Sequence, residues 1–327
     1  MSLETEAVLD RRSLRRRIGL WRSLAIAAAV LAFGAIGYAS GGWESLAETR
    51  QIARVTIEGV ITEDRDQLRL LKRLAEAKNV NGVILVVNSP GGTTTGGEAL
   101  FEAIRTISKS KPVVAQFGTV AASAAYIAGL ATDHIVARGN TITGSVGVIF
   151  QWPEVSGLMD KLGVKMNEIK SGPLKAVPSM YEPLTGDGRK VTEAMVAESQ
   201  RWFVDLVASR RNIRTGDIPG LEQGRVFSGR EALVHKLVDE LGSEAEAIGW
   251  LEDKKGVKKG LRIVDWRPRR EQDLSWVRLF GMALARVLGM GGDGGITLGA
   301  DRTFGGLVLD GLVSVWQPSE NQAITRP

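Results

Sequence analysis

Ser123 and Lys175 are the two residues of this chain best suited to nucleophilic chemistry. The serine stands in Val120-Ala121-Ala122-Ser123-Ala124-Ala125-Tyr126, and the lysine follows 175 − 123 = 52 residues later in Ser171-Gly172-Pro173-Leu174-Lys175. With no cysteine and two histidines among 327 residues, lysine is the best placed base for a serine. The small residues around Ser123, Gly118 included, would let a substrate carbonyl approach the backbone closely. A serine that opens a helix is ordinarily an N-cap. A nucleophile at the same place would gain the first helical N–H groups for a developing oxyanion.

Lysines usually face solvent. One that acts as a base near neutral pH must be held uncharged, at a cost of about 4 kcal/mol that burial can supply. Gly172, Pro173, Leu174, Ala176, Val177 and Pro178 give Lys175 the small and apolar neighbours this requires. Lys165 and Lys170, by contrast, read as surface charges.

A third segment, Asn88-Ser89-Pro90-Gly91-Gly92, follows a continuous apolar run. Pro90 lacks an N–H, and the two glycines allow backbone conformations closed to other residues, leaving N–H groups to point at a ligand oxygen. Alone, the segment reads equally as a strand-to-helix turn. No Gly-Lys-Ser/Thr follows, so it is not a phosphate loop. Gly92 and Ser123 are spaced to line one cleft at adjacent strand ends, with the N–H groups of Gly92 and Ala124 forming an oxyanion hole. His134, eleven residues after Ser123, is carried by the intervening helix to its far end, and His235 lies on a late helix face beside Lys236. Neither is placed to serve as the base. No cluster of His and acidic residues has metal-ligand spacing, and no metal or cofactor is expected.

These segments must be positioned by a regular frame. Residues 52–60 alternate as a strand, residues 64–77 have helical spacing, and residues 83–87 form a strand buried on both faces. Further helices are expected at 98–108, 123–130, 191–211 and 229–236, and further strands at 112–117, 135–137, 146–150 and 261–264. Such alternation predicts an α/β fold built from βαβ units with a largely parallel sheet. Residues 289–295 form a glycine-rich break, and residues 276–290 are apolar enough to lie on a membrane, between subunits or in a core.

The net charge of +5 comes largely from Arg11, Arg12, Arg15, Arg16, Arg17 and Arg22, ahead of an uncharged run at 23–42. That is a membrane-topology signal, not a nucleic-acid face. The 20 residues of the run span a hydrocarbon core of about 30 Å. The arginines before the run, with Glu44 and Glu48 after it, place the N-terminus in the cytoplasm and the remainder outside. A cleaved signal peptide is the alternative, with Gly37-Tyr38-Ala39 as a small-x-small site; the long leading segment and the length of the run favour an anchor. The expected organisation is a cytoplasmic basic segment (1–22), a transmembrane anchor (23–42), a catalytic domain (43–270) and a C-terminal amphipathic segment and tail (271–327). Without cysteines, the exported domain must hold by its core alone.

Taken together, the chain resembles the signal peptide peptidase A family, membrane-anchored serine proteases of the ClpP/crotonase-like superfamily. The resemblance rests on Asn88-Ser89-Pro90-Gly91-Gly92, Ala121-Ala122-Ser123, Thr141-Ile142-Thr143-Gly144-Ser145-Val146-Gly147-Val148 and Lys170-Ser171-Gly172-Pro173-Leu174-Lys175. It continues in Gly224-Arg225-Val226-Phe227-Ser228-Gly229 and Leu237-Val238-Asp239-Glu240-Leu241-Gly242. It implies Ser123 as nucleophile, Lys175 as general base and Ser145 as the residue that orients the lysine, on a spiral of ββα units. It further implies a homo-oligomeric ring at the inner membrane in which neighbouring subunits share active sites, acting on signal peptides and other apolar peptides. Where many relatives have glycines after the serine, this chain has Ala124 and Ala125, which narrows the cleft. The alternatives are a crotonase-like enzyme acting on an acyl thioester, which export argues against, and a non-catalytic membrane scaffold.

Overall fold

Strand β1 (Gln51–Ile61) buries Ile52, Val55 and Ile57 and leaves Thr56 and Glu58 exposed. Helix α1 (Arg65–Glu76) starts where the Asp64 carboxylate accepts the N–H groups of Asp66 and Gln67, and it buries Leu70, Leu71 and Leu74. Strand β2 (Val80–Thr93) carries the buried run Val83-Ile84-Leu85. Helix α2 (Thr94–Ser108) begins at Thr93, whose hydroxyl accepts the Gly96 N–H. Then follow β3 (Val113–Ala122), α3 (Ala124–Leu130), β4 (His134–Ala137) and β5 (Ile142–Gly144). After these come α4 (Ser156–Lys161), α5 (Gly186–Arg211), β6 (Val226–Ser228), α6 (Gly229–Val234), β7 (Glu240–Leu241), α7 (Glu244–Asp253), β8 (Arg262–Trp266) and β9 (Val313–Val315).

The computed structural model describes residues 49–268 and 313–315, with Trp21, Arg22, Ile26 and Ala28. The chain divides into two units, Met1–Thr49 and Arg50–Pro327. Among the described residues no helix is long and apolar enough to cross a membrane. The expected span at 23–42 lies outside them except for Ile26 and Ala28, and the apolar stretch at 276–290 lies wholly outside.

The second unit is α/β. Its sheet runs β6-β5-β3-β2-β1-β8, with β4 and β7 joined beside β3 and with β9 on β2. Parallel pairs dominate; β2–β9 and β5–β6 are antiparallel. The apolar interior runs from Leu70, Leu71 and Leu74 through Leu85, Val87 and Phe117 to Tyr126, Phe203 and Phe227.

Three local expectations change. Asn88-Ser89-Pro90-Gly91-Gly92 is not a turn: β2 continues through it, because β1 pairs with it as far as Ile61↔Gly92. The strand expected at 146–150 instead occupies 142–144, since Gly144 (φ 83°) and Ser145 (φ 51°) turn the chain out of the sheet. Helix α5 begins at Gly186 and not at 191, because the Thr185 hydroxyl caps it by accepting the Gly188 N–H.

Candidate active site

Ser123 lies where β3 ends and α3 begins, only 1% exposed, with φ 60° and ψ −122°. L-residues rarely adopt this backbone, and it is costly away from glycine. The side chain makes no capping hydrogen bond. The ordinary reading of a helix-starting serine therefore does not describe this one. The corner is fixed on both sides: the Ser123 N–H donates to the Gly144 carbonyl at 2.9 Å, and the Ser123 carbonyl accepts from Ile127 at 3.0 Å.

Helix α3 anchors that corner. All seven of its residues are buried. Gly129 lies so close on Phe117 that an added Cβ would come within 2.4 Å of the ring. The Tyr126 hydroxyl donates to the Leu237 carbonyl at 2.8 Å, and burial holds this phenol above its ordinary range. Past the C-terminal end, Arg210 donates to the carbonyls of Leu130 and Thr132, and Arg105 to that of Ala131. Cations at that end suit the helix dipole.

Ser145 sits beside this corner. Strand β5 pairs with the end of β3 through Ala122↔Gly144, so Ser123 and Ser145 are the next residues on adjacent strands. Ser145 is 9% exposed, has φ 51° and donates its N–H to the Arg225 carbonyl at 2.9 Å. Gly144 is demanded by its φ of 83° and by Phe227, whose ring lies 2.7 Å from where a Cβ would be.

Gly92, the other expected oxyanion donor, lies near the end of β2. A side chain there would place its Cβ 1.8 Å from the Ile61 carbonyl oxygen, so the requirement is close approach of β1; Gly91, at φ 112°, supplies the left-handed backbone. Strand β3 leaves β2 after Ser89↔Ala121. On that vacated edge, opposite β1, β9 pairs antiparallel through Gly91↔Val315, Gly92↔Ser314 and Thr93↔Val313. The Ala124 N–H is in the first turn of α3, where no intrahelical acceptor exists.

Lys175 belongs to a different environment. From residue 147 to residue 187 nothing is buried, and Lys175 is exposed in a turn closed by its N–H on the Gly172 carbonyl at 3.1 Å. The next residue, Ala176, has φ 60°. The chain's own core therefore sets Ser123 and Ser145 side by side at the start of α3, while Lys175 is left exposed on the arm formed by residues 147–187. Lys170, also on the arm, pairs with Glu182 and Glu168; hydrogen bonds to both carboxylates hold its ammonium above the ordinary value. Such a lysine stays charged and is no base.

His134 is occupied elsewhere. Its ring stacks on Trp250 at 4.8 Å and its Nε2 lies 3.1 Å from Glu240, at the opposite end of β3, where Val114 pairs with His134. His235 sets its ring edge against Phe227. Among the described residues no group of three or more His, Asp or Glu could hold a metal ion.

Beyond Ser145 the chain enters a cleft of about 560 Å³ walled by Val148, Phe150, Trp152, Val196 and Gln200. The Gln200 carboxamide donates to the carbonyls of Val146 and Glu222, tying α5 to this loop. Gln200 was not legible as a site residue, because a glutamine at mid-helix carries no local signal. The left-handed backbone at Ser123 and Ser145 was equally hidden.

Peptidase family S49 matches residues 105–258, and the Clp protease family matches residues 44–139. The chain is 34% identical over 211 residues to a candidate protease of Synechocystis sp., covering 64% of this chain and 76% of the relative. A candidate protease of Methanocaldococcus jannaschii is 33% identical over 246 residues, covering 75% and 77%. A candidate signal peptide peptidase SppA of Enterococcus faecium is 34% identical over 226 residues, covering 65% and 66%.

Proposed function

The chain belongs to peptidase family S49, and on that premise we propose that it is a membrane-tethered serine endopeptidase in which Ser123 is the nucleophile and Lys175 the general base. The observation that carries the reading is Ser123 itself: buried, and in a strained left-handed backbone at a strand-to-helix corner. Such strain is maintained only where the surroundings over-determine it, and it clusters at functional sites.

In the first step the Ser123 hydroxyl oxygen attacks the substrate carbonyl while neutral Lys175 takes its proton. The oxyanion of the tetrahedral intermediate is received by the N–H groups of Gly92 and Ala124. The intermediate collapses as the lysine returns that proton to the leaving amine, which leaves an acyl-enzyme on Ser123. Water, deprotonated by the same lysine, hydrolyses the ester. Ser145, level with Ser123 on the next strand, accepts a hydrogen bond from the lysine amine and directs it.

Lys175 reaches Ser123 of a neighbouring copy. Support comes from the arm: Leu158, Leu162, Val164, Met166 and Ile169 are all about half exposed or more, a surface that ordinarily meets a partner. A neighbour covering it would exclude water from the lysine and favour its neutral form. A homo-oligomeric ring on a spiral of ββα units follows, with each cleft completed by two subunits. The substrate is an extended apolar peptide, such as a remnant signal peptide held at the inner membrane by its own hydrophobicity. The edge of β2 at Gly91 already accepts an antiparallel strand, and a substrate added in the same way runs past Ser123. On this reading Val313–Val315 and the substrate compete for that edge. The anchor at 23–42 keeps the extracytoplasmic domain beside such substrates.

The test is a fluorophosphonate probe on the full chain in detergent micelles, followed by peptide mapping. Labelling at Ser123, lost in Ser123→Ala together with peptide turnover, is the expected result. Turnover that survives Ser123→Ala would overturn the reading.

A further inference from the structure

Strands β2 and β3 do not keep one register. Through Val87↔Phe117 the offset is 117 − 87 = 30, and at Ser89↔Ala121 it is 121 − 89 = 32. Between those two pairs Asn88 alone faces Gly118, Thr119 and Val120. The ladder cannot satisfy the N–H groups of such a bulge, because the strand opposite has too few carbonyls. The Asn88 side chain supplies the acceptor. Its Oδ1 accepts the Thr119 N–H at 3.1 Å and the Val120 N–H at 3.2 Å. Gly118 lets it in: an added Cβ would lie 3.1 Å from that same oxygen and 3.2 Å from the Asn88 Cβ and Cγ. On the other side of the bulge the Thr141 hydroxyl donates to the Gly118 carbonyl at 2.7 Å.

The slip of two residues decides which groups meet. The same bulge is where β3 exchanges one neighbour for another. It pairs with β4 up to Phe117↔Ala137 and with β5 from Val120↔Ile142, and that second pairing sets Ser145 next to Ser123.

We propose that Asn88 is a positioning residue for catalysis: its carboxamide oxygen holds the β3 bulge at which that strand passes from β4 to β5, the pairing that sets Ser145 beside Ser123. The proposal rests on the serine-peptidase reading above, in which Ser145 directs the lysine toward Ser123. Asn88 is exposed, so its replacement removes two hydrogen bonds without opening a core cavity. A displacement of about 1 Å at reacting groups can lower a rate by about 100-fold.

The test compares Asn88→Ala and Asn88→Asp with the full-length wild type in micelles. Asp keeps an acceptor oxygen at the same place; Ala does not. In Asn88→Ala we expect kcat on a chromogenic peptide to fall about 10- to 100-fold with KM little changed, and Asn88→Asp to recover most of the loss. Amide hydrogen exchange gives a readout independent of turnover: the Thr119 and Val120 amides should exchange faster in Ala and return to the wild-type rate in Asp. Unchanged exchange at those two amides in Ala, a wild-type kcat in Ala, or a loss that Asp does not rescue would each overturn the proposal. A loss of kcat that only follows a lowered melting temperature would also overturn it, by making Asn88 a stability residue. If Ser123→Ala retains full turnover, the peptidase reading falls, and the exchange rates still decide whether Asn88 holds the bulge.

Discussion

Between residues 113 and 137 every apolar side chain except Val120 is buried, whereas between 147 and 187 none is, although that second stretch carries Leu158, Leu162, Val164, Met166 and Ile169. The first region is held by the sheet and by α2, α5 and α7. In the second no side chain is buried among the described residues, and helix α4 within it has no buried residue. Local propensity cannot stabilise six helical residues in water, so the arm depends on what covers it. The difference separates the two chemical tasks. On the proposed reading, the nucleophile and its strained backbone are built by one subunit alone, while the base rides on a segment that a neighbour completes.

The sharpest attack on this division is a mixing experiment. Ser123→Ala and Lys175→Ala assemblies should each lose about 10⁴-fold in kcat, and co-assembly of the two should restore a measurable fraction of turnover. Absence of any recovery in mixed oligomers would place serine and lysine within one protomer. The core side is next. Phe117→Ala removes the ring on which Gly129 rests and should cost about 3–5 kcal/mol in urea unfolding; a cost near zero would mean that α3 is not anchored there. Tyr126→Phe leaves the buried Leu237 carbonyl without its donor, and a loss of about 1–2 kcal/mol is expected by the same measurement. Ending the chain at residue 312 vacates the β2 edge, and KM for short peptides should fall about threefold, worth somewhat under 1 kcal/mol; an unchanged KM would send the substrate elsewhere. Smallest of all, Ile169→Ser should leave unfolding of the dissociated subunit within about 0.5 kcal/mol while weakening assembly. A larger loss of subunit stability would show that the arm packs on its own chain.

Much of the frame was legible in the residues. Strand β1, helix α1 and the run Val83-Ile84-Leu85 lie where alternation and helical spacing put them, because burial on one face or two leaves a periodic mark. The place of Ser123 between a strand and a helix was legible from its surroundings. What the residues concealed was register. Nothing in Asn88-Ser89-Pro90-Gly91-Gly92 says that β1 will follow it to Gly92 and keep it extended, since that depends on a partner 31 residues away. The bulge at Gly118 was hidden for the same reason: its signature is a single asparagine whose bonds reach across strands. Helix α7 could have been read from its capping box, Ser243 with Glu246, and was not. The exposure of Lys175 was opaque, because Pro173, Leu174, Val177 and Pro178 look alike whether their own chain or another buries them.

Helix α3 presents no face to solvent, and that has a consequence for how activity is lost. Ser123, the proposed nucleophile at the start of this helix, cannot be disordered by local fraying; heat must melt the entire domain first, so thermal inactivation should follow the global unfolding rate. Dilution acts on the other half of the proposed cleft, withdrawing the base while the fold stays intact. One enzyme would thus fail in two separable ways, reversibly when its subunits part and irreversibly when its centre melts.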